Sequence, residues 1–79
     1  MLTKPAEPLS HFRAADGELE VIEVDTSTPQ GKRLCELGVC PGKRIFVVRA
    51  GSPAIVAVAG SRFALARELA RRVMVRPVA

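Results

Sequence analysis

Two cysteines, Cys35 and Cys40, come nearest to the residue types and spacing of a metal site in this sequence. Structural zinc takes a tetrahedral set of ligands, and paired cysteine ligands usually stand about two to four residues apart. The only histidine, His11, is distant in sequence, and Glu36 is the one carboxylate beside the pair. Ligands are too few for a metal site within one chain, so we expect no bound metal or cofactor. A metal site shared between two self-associating chains is the alternative that this pair leaves open.

The same cysteines bear on the redox compartment. Two cysteines cannot staple a disulfide scaffold, and residues 1–5 (MLTKP) carry no apolar segment of a secretion signal. The longest uncharged stretch, residues 50–61, is interrupted by glycine and proline and falls short of the roughly 20 apolar residues that a membrane helix needs. We therefore expect a cytoplasmic protein with both thiols reduced and no segment inserted in the membrane.

Catalytic constellations are missing from the sequence. Covalent catalysis needs a nucleophile beside a positioned base, and one histidine with few clustered carboxylates supplies neither. Glu18, Glu20 and Glu23 fall on or beside a predicted strand, where Glu18 and Glu20 share a face toward water. The phosphate-binding pattern G-x-x-x-x-G-K-[ST] is also missing. The sequence predicts a protein that is not an enzyme.

Charge is divided unevenly along the 79 residues, whose formal net charge is +4. Residues 1–30 carry two basic and six acidic side chains, and residues 31–79 carry ten basic and two acidic ones. The favoured interpretation is that strands from the two parts pair and neutralise each other. A basic barrel that binds nucleic acid is the alternative function. It is disfavoured because the chain has no Trp or Tyr for stacking on bases, and its three Phe are predicted to lie in the core.

Short strands bounded by turn residues are the elements that must position these side chains. Strands are predicted at 19–24, 43–49, 54–59, 62–65 and 73–75, and a slip in the alternation of the first strand indicates a β-bulge. The prediction is a mainly β fold with one or two short helices, arranged as a small antiparallel barrel. Residues 1–8 are predicted to be a flexible lead-in, and residues 9–79 a single domain.

One helix is predicted between the first two strands. Thr28 suits the N-cap and Pro29 the first helical position. The helix is expected to run to about Leu37, with Leu34 and Leu37 packed on the barrel, and to end at Gly38. A second helix of a single turn is predicted at residues 66–70. Leu9 and Phe12 are expected to close one end of the core.

The run from Arg33 to Val47, RLCELGVCPGKRIFV, resembles the core motif of FeoA-domain proteins, R-L-x-E-L-G-x-x-P-G-x-x-I-x-V. The turn at residues 51–53 and the pattern over residues 58–75 resemble later parts of the same family, and the likeness covers roughly residues 9–78. The chain departs from the family at Ala66, where the family often has Arg and this sequence has Arg67 next.

The resemblance implies an SH3-like barrel and a role as a helper of bacterial ferrous iron uptake. The implied partner is FeoB, a membrane transporter with a cytosolic GTP-binding domain. Docking on it to support assembly or regulation would recruit this protein to the inner face of the cell membrane. The exposed side chains expected to make that contact are Lys32, Arg33, Glu36, Arg62 and Arg67.

Overall fold

Six antiparallel strands form one sheet in the computed structural model, which describes residues 5–78. The strands are β1 (Glu7–Pro8), β2 (Glu18–Val24), β3 (Arg44–Arg49), β4 (Ala54–Val58), β5 (Ser61–Leu65) and β6 (Val73–Pro77). Their order in the sheet is β1-β6-β2-β3-β4-β5. Helix α1 (Pro29–Glu36) joins β2 to β3, helix α2 (Arg67–Ala70) joins β5 to β6, and two short 3-10 turns, Leu9–His11 and Ala14–Asp16, lie between β1 and β2. The predicted mainly β class with short helices is confirmed.

The sheet has one strand more than the sequence predicted. Glu7 and Pro8 pair with Val75 and Met74 of β6, so this part of the predicted lead-in belongs to the sheet. Residues 1–4 of that lead-in lie outside the described residues. A two-residue strand shows no alternation for a pattern to detect, and its proline is tolerated because the strand lies at the sheet edge.

The predicted bulge in β2 is confirmed. The register of β2 against β6 shifts between Val21 and Glu23, which places one extra residue on the β2 side. Because of that shift, Leu19, Val21 and Val24 are all buried although their spacing is not a constant two residues. The slip in the hydrophobic alternation of this segment therefore marks the bulge in β2.

Helix α1 begins and ends where its capping residues predict. The Thr28 hydroxyl accepts a hydrogen bond from the Gly31 N–H at 3.1 Å, and Pro29 occupies the first turn. At the other end the Val39 N–H donates to the Leu34 carbonyl at 2.9 Å. With Gly38 at φ +109°, this closure is a Schellman motif, and it buries Val39 against the helix end.

Close contact fixes the first turn of α1 against the chain that leaves β2. A methyl group built on Gly31 would lie 1.7 Å from the carbonyl oxygen of Asp25. Real side-chain carbons essentially never come within 3.0 Å of such an atom. Glycine is therefore required at this position by the space available, and it sets how near α1 lies to the sheet.

One hydrophobic cluster fills the interior, and strands β2 to β6 all contribute to it. Leu9 and Phe12 are part of this core, as predicted. Two predictions about the core are wrong: Leu37 is 51% exposed and Phe46 is 44% exposed. Leu37 caps α1 where the chain already turns away, and Phe46 alternates with inward Ile45 on β3 and so points outward.

The expectation of two reduced thiols is also corrected, because Cys35 and Cys40 form a disulfide with a Cα–Cα distance of 4.5 Å. Cys35 lies in the last turn of α1, and Cys40 precedes the turn at residues 41–42. The Schellman closure between them reverses the chain and brings the two residues together. Sequence spacing alone does not reveal that reversal.

Candidate functional site

Three ion pairs join the acidic N-terminal part of the chain to its basic remainder. They are Glu18–Arg44 at 3.6 Å, Glu20–Arg76 at 3.7 Å and Asp25–Arg72 at 3.8 Å. The predicted neutralisation between the two parts of the chain is confirmed. All six side chains are partly or well exposed, so solvent screens each pair and its contribution to stability is small. Each pair also places a carboxylate beside an arginine that could otherwise have met phosphate.

The carboxyl group of Asp25 has a pKa below its usual value. The Ser27 hydroxyl and then the Ser27 backbone N–H donate to its carboxylate, and these hydrogen bonds lower the pKa of Asp25. The nearby Arg72 guanidinium lowers it further. Asp25 therefore stays ionised at the junction between β2 and α1.

The five side chains predicted to contact a partner occupy three separate places. Lys32, Arg33 and Glu36 line one shallow depression on α1. Arg62 lies on β5 opposite Ala57, with its side chain on the outer face of the sheet. Arg67 opens α2 and lines a pocket of about 260 Å³ at the barrel end, together with His11 and Arg13. Within residues 5–78, none of the five forms an ion pair.

An apolar groove of about 200 Å³ lies between α1, β5 and α2, and we call it the α1–β5 groove. Its lining is Gln30, Arg33, Leu34, Leu37, Ala64, Leu65 and Leu69. The exposed half of Leu37 belongs to this groove. Arg33 is the one cation of the lining, so a basic side chain borders an apolar surface.

The backbone beside this groove is an open sheet edge. Strand β5 pairs with β4 on one side and has no strand on its other side among the described residues. Ala59 and Gly60 both have positive φ, which is the two-residue type I′ hairpin turn. In such a hairpin the pair next to the turn, Val58 and Ser61, exchanges hydrogen bonds, and the pattern then alternates.

The alternation decides which groups of β5 are free. Phe63 and Leu65 direct their N–H and C=O groups to β4, whereas Arg62 and Ala64 direct theirs away from it. No other backbone hydrogen bond reaches Arg62 or Ala64 within residues 5–78. Two donors and two acceptors therefore face the side where α1 and the groove lie.

Sequence reasoning missed both Leu37 and this edge. A leucine that directly precedes the terminating glycine of a helix was the available signal, because the helix no longer directs that side chain inward. Which strand lies at the edge depends on the strand order, and that order cannot be predicted from short strands of similar composition. A second exposed apolar surface, the outer face of β3 and β4 with Phe46, Val48 and Ile55, was also not foreseen.

The structure brings together no cluster of metal-ligating side chains in the part of the chain that it describes. No three His, Cys, Asp or Glu side chains in residues 5–78 come together as a metal site. The sulfurs of Cys35 and Cys40 are bonded to each other, so they offer no thiolate to a metal. Across the same residues, no helix has the length and apolar character that crossing a membrane requires.

The architecture defines a small mainly β domain of the SH3-like class. The FeoA domain model matches residues 9–77, and the chain therefore belongs to the FeoA family, which is associated with ferrous iron transport. The resemblance carried by the RLCELGVCPG motif is thus confirmed. No curated protein sequence matches this chain.

Solved structures of the family are similar to this chain over most of its length. An iron uptake regulatory protein, FeoA, is 35% identical with a TM-score of 0.77, and the match covers 90% of this chain and 95% of that one. FeoA of Stenotrophomonas maltophilia, solved with zinc and described as a prokaryotic SH3 domain protein, is 32% identical with a TM-score of 0.73 and 90% coverage of both chains. FeoA of Chlorobium tepidum is 30% identical with a TM-score of 0.79, covering 91% of this chain and 70% of that one.

Proposed function

We propose that this protein is a non-enzymatic accessory protein of bacterial ferrous iron uptake. It works in the cytoplasm and docks on the GTP-binding domain of a FeoB-type transporter, which brings it to the inner face of the membrane. Family membership supports the pathway. The 35% identical relative is described as an iron uptake regulatory protein, and the S. maltophilia relative as a candidate activating factor for ferrous iron transport.

The observation that carries the docking proposal is the uncovered α1–β5 groove beside cations without carboxylate partners. A protein contact needs an apolar centre with polar groups around it. Leu37 supplies exposed apolar surface, and Lys32 and Arg33 supply charge that no ion pair in residues 5–78 neutralises. Arg62 lies on β5 two residues before Ala64 of the groove lining, and Arg67 faces a different pocket, so we assign Arg67 the smallest contribution.

The rival function, nucleic acid binding, has one observation in its favour. Phe46 is exposed on the outer face of the sheet, where Arg44 is a neighbour two residues away. Against it, Arg44 is paired with Glu18, and a single phenylalanine is a small stacking platform. Binding of single-stranded nucleic acid that falls steeply with salt would support this function, and we expect no such binding at physiological salt.

Titration calorimetry with the purified GTP-binding domain of the transporter tests the docking proposal. Arg33→Glu should weaken binding by at least about tenfold, because it reverses a charge in the groove lining. Arg49→Glu is the matched control, because it changes the net charge equally. Arg49 pairs with Ile55 near the β3–β4 turn, whereas the end of α1, at Gly38, lies against Val58 at the other end of that hairpin. Equal losses for both variants, or no binding by the unaltered protein, would refute the assignment.

A further inference from the structure

We infer that the α1–β5 groove accepts an extended segment of the partner, which adds to β5 as a further strand and places one large aliphatic side chain in the groove between flanking acidic residues. The inference deepens the proposed function, on which it depends only for the identity of the protein that supplies the segment.

The free edge of β5 supplies the first argument. Outward N–H and C=O groups of Arg62 and Ala64 repeat at the spacing that an antiparallel or parallel strand requires. Exposed edges of this kind are templates for another strand unless they are covered. The opposite edge of the sheet, β1, has two residues, one of them Pro8 without an N–H, so it cannot serve in the same way.

The groove supplies the second argument, because it lies where alternate side chains of an added strand would point. Phe63 and Leu65 face the inner side of β5, so a residue of the new strand on that side would meet Leu65, Leu34 and Leu37. The groove volume of about 200 Å³ exceeds the roughly 150 Å³ apolar cavity that holds a benzene molecule. One leucine-sized side chain therefore fits.

Charge supplies the third argument and selects the occupant. The flanking residues of the new strand would point outward beside Arg62, while Arg33 borders the groove on the other side. Neither arginine has an ion-pair partner within residues 5–78, so acidic flanks complement Arg62 on their own side of the sheet, and Arg33 adds positive charge at the groove. A second copy of this chain is disfavoured, because each copy carries a net charge of +4 and would bring Arg62 toward its own equivalent.

Hydrogen exchange measured by NMR with a capped model peptide, Thr-Asp-Leu-Asp-Val-Thr, tests this recognition mode without the transporter. Saturating peptide should slow exchange of the Arg62 and Ala64 amide protons by at least about tenfold, whereas Phe63, whose N–H is already directed to β4, should change little. This alternation is specific to strand addition. Protection of none of these amides, or shifts confined to the Phe46 and Val48 surface, would overturn the inference.

Two peptide isomers provide a control that leaves the protein unaltered. Each isomer is N-methylated on every second residue, one isomer on the odd and the other on the even positions. Alternate residues of a strand direct their N–H groups to opposite sides, so only one isomer keeps the N–H groups that face β5 in a given register. One isomer should bind and the other should not. Equal binding by both isomers would mean that the peptide does not pair as a strand.

Two protein variants complete the test. Ala64→Pro removes an outward N–H from the edge, and Ala64→Ser retains it, so the proline variant alone should lose peptide affinity by at least about tenfold. Leu37→Ser should also weaken binding, and Val48→Ser, an exposed apolar residue on the outer face, should not.

The outcomes separate this inference from the proposed function. Protection of Arg62 and Ala64 by the model peptide, without any binding of the transporter domain, would support strand addition and refute the choice of partner. Binding of the transporter domain that leaves both amides unprotected would support the partner and refute strand addition.

Discussion

Replacement of Gly31 by alanine has two opposing effects on the stability of the fold, and their magnitudes predict a net loss. Alanine is the better helix former, by about 1 kcal/mol in an exposed helix interior. Opposing it, the added methyl group would lie 1.7 Å from the Asp25 carbonyl oxygen, and backbone on both sides leaves no flexible side chain to give way. Reaching even 3.0 Å requires a movement of at least 1.3 Å between α1 and the end of β2.

The expected cost follows from what that movement disturbs. Overpacking against backbone typically costs about 1–3 kcal/mol, and displacement of the first turn also weakens the Thr28 cap, worth about 1 kcal/mol. After subtraction of the helix-propensity gain of about 1 kcal/mol, Gly31→Ala should destabilise the fold by about 1–3 kcal/mol. For a chain of this length, at about 4–8 °C per kcal/mol, Tm should then fall by about 4–24 °C.

Thermal and urea denaturation followed by circular dichroism measure this change. Gln30→Ala is the matched control, since it makes an alanine at the neighbouring exposed position of the same helix. Its effect should stay within about 0.5 kcal/mol. An unchanged or raised Tm for Gly31→Ala would show that α1 does not lie this close to the sheet, and the shape of the α1–β5 groove would then need revision.

Three further predictions concern the ends of α1. Thr28→Ala should lower the free energy of unfolding by about 1 kcal/mol in urea denaturation, whereas Thr28→Ser, which keeps the hydroxyl, should lower it less. NMR titration of the side-chain carboxyl should give Asp25 a pKa below the usual value of an aspartate, and Ser27→Ala should raise that pKa. Because the pKa of Asp25 is depressed in the folded protein, the associated stability is present above the unfolded-state pKa and is lost as the pH falls through the folded-state pKa. Replacing both Cys35 and Cys40 by serine should lower the free energy of unfolding by about 2 kcal/mol, which is the loop-closure entropy of so short a loop. Reduction by dithiothreitol should lower it equally, and the NMR amide signals of α1 should persist in both cases. A variant or reduced protein without helix α1 would contradict the view that backbone hydrogen bonds close the helix end.

The chain reversal after α1 does not depend on the disulfide, which matters because the location that we propose is the cytoplasm. Disulfides are uncommon in a reducing compartment. The chain reversal after α1 nevertheless rests on two backbone hydrogen bonds, Val39 to Leu34 and Gly38 to Cys35 at 3.1 Å, which persist without the sulfur bond. We therefore expect the same α1–β5 groove in the dithiol form.

Local signals in the sequence predicted most of the fold. Thr28 and Pro29 marked the start of α1, Gly38 marked its end, and the slipped alternation of β2 marked a bulge, because each of these features depends on a few neighbouring residues. Strand β1 escaped prediction because two residues carry no periodicity. The disulfide escaped because it depends on a chain reversal and not on spacing.

The candidate site was less predictable than the fold. Charge and exposure correctly marked Lys32 and Arg33 as lying on the surface of α1, but the groove beside them depends on which strand ends the sheet. Leu37 was assigned to the core because it follows Leu34 at helical spacing, and that periodicity no longer applies at the C-cap. Long-range strand order and helix termination are therefore the two features that sequence periodicity did not resolve here.

We propose that this protein docks on the transporter through the α1–β5 groove. The most direct test of this proposal is calorimetric measurement of the affinity of Leu37→Ser and Val48→Ser for the transporter's GTP-binding domain, with the unaltered protein as reference. Both residues are exposed apolar side chains, at 51% and 38%, but only Leu37 lines the groove. We expect Leu37→Ser to weaken binding by at least about tenfold and Val48→Ser to leave binding unchanged. The opposite ranking would contradict the account and place the contact on the outer face of β3 and β4.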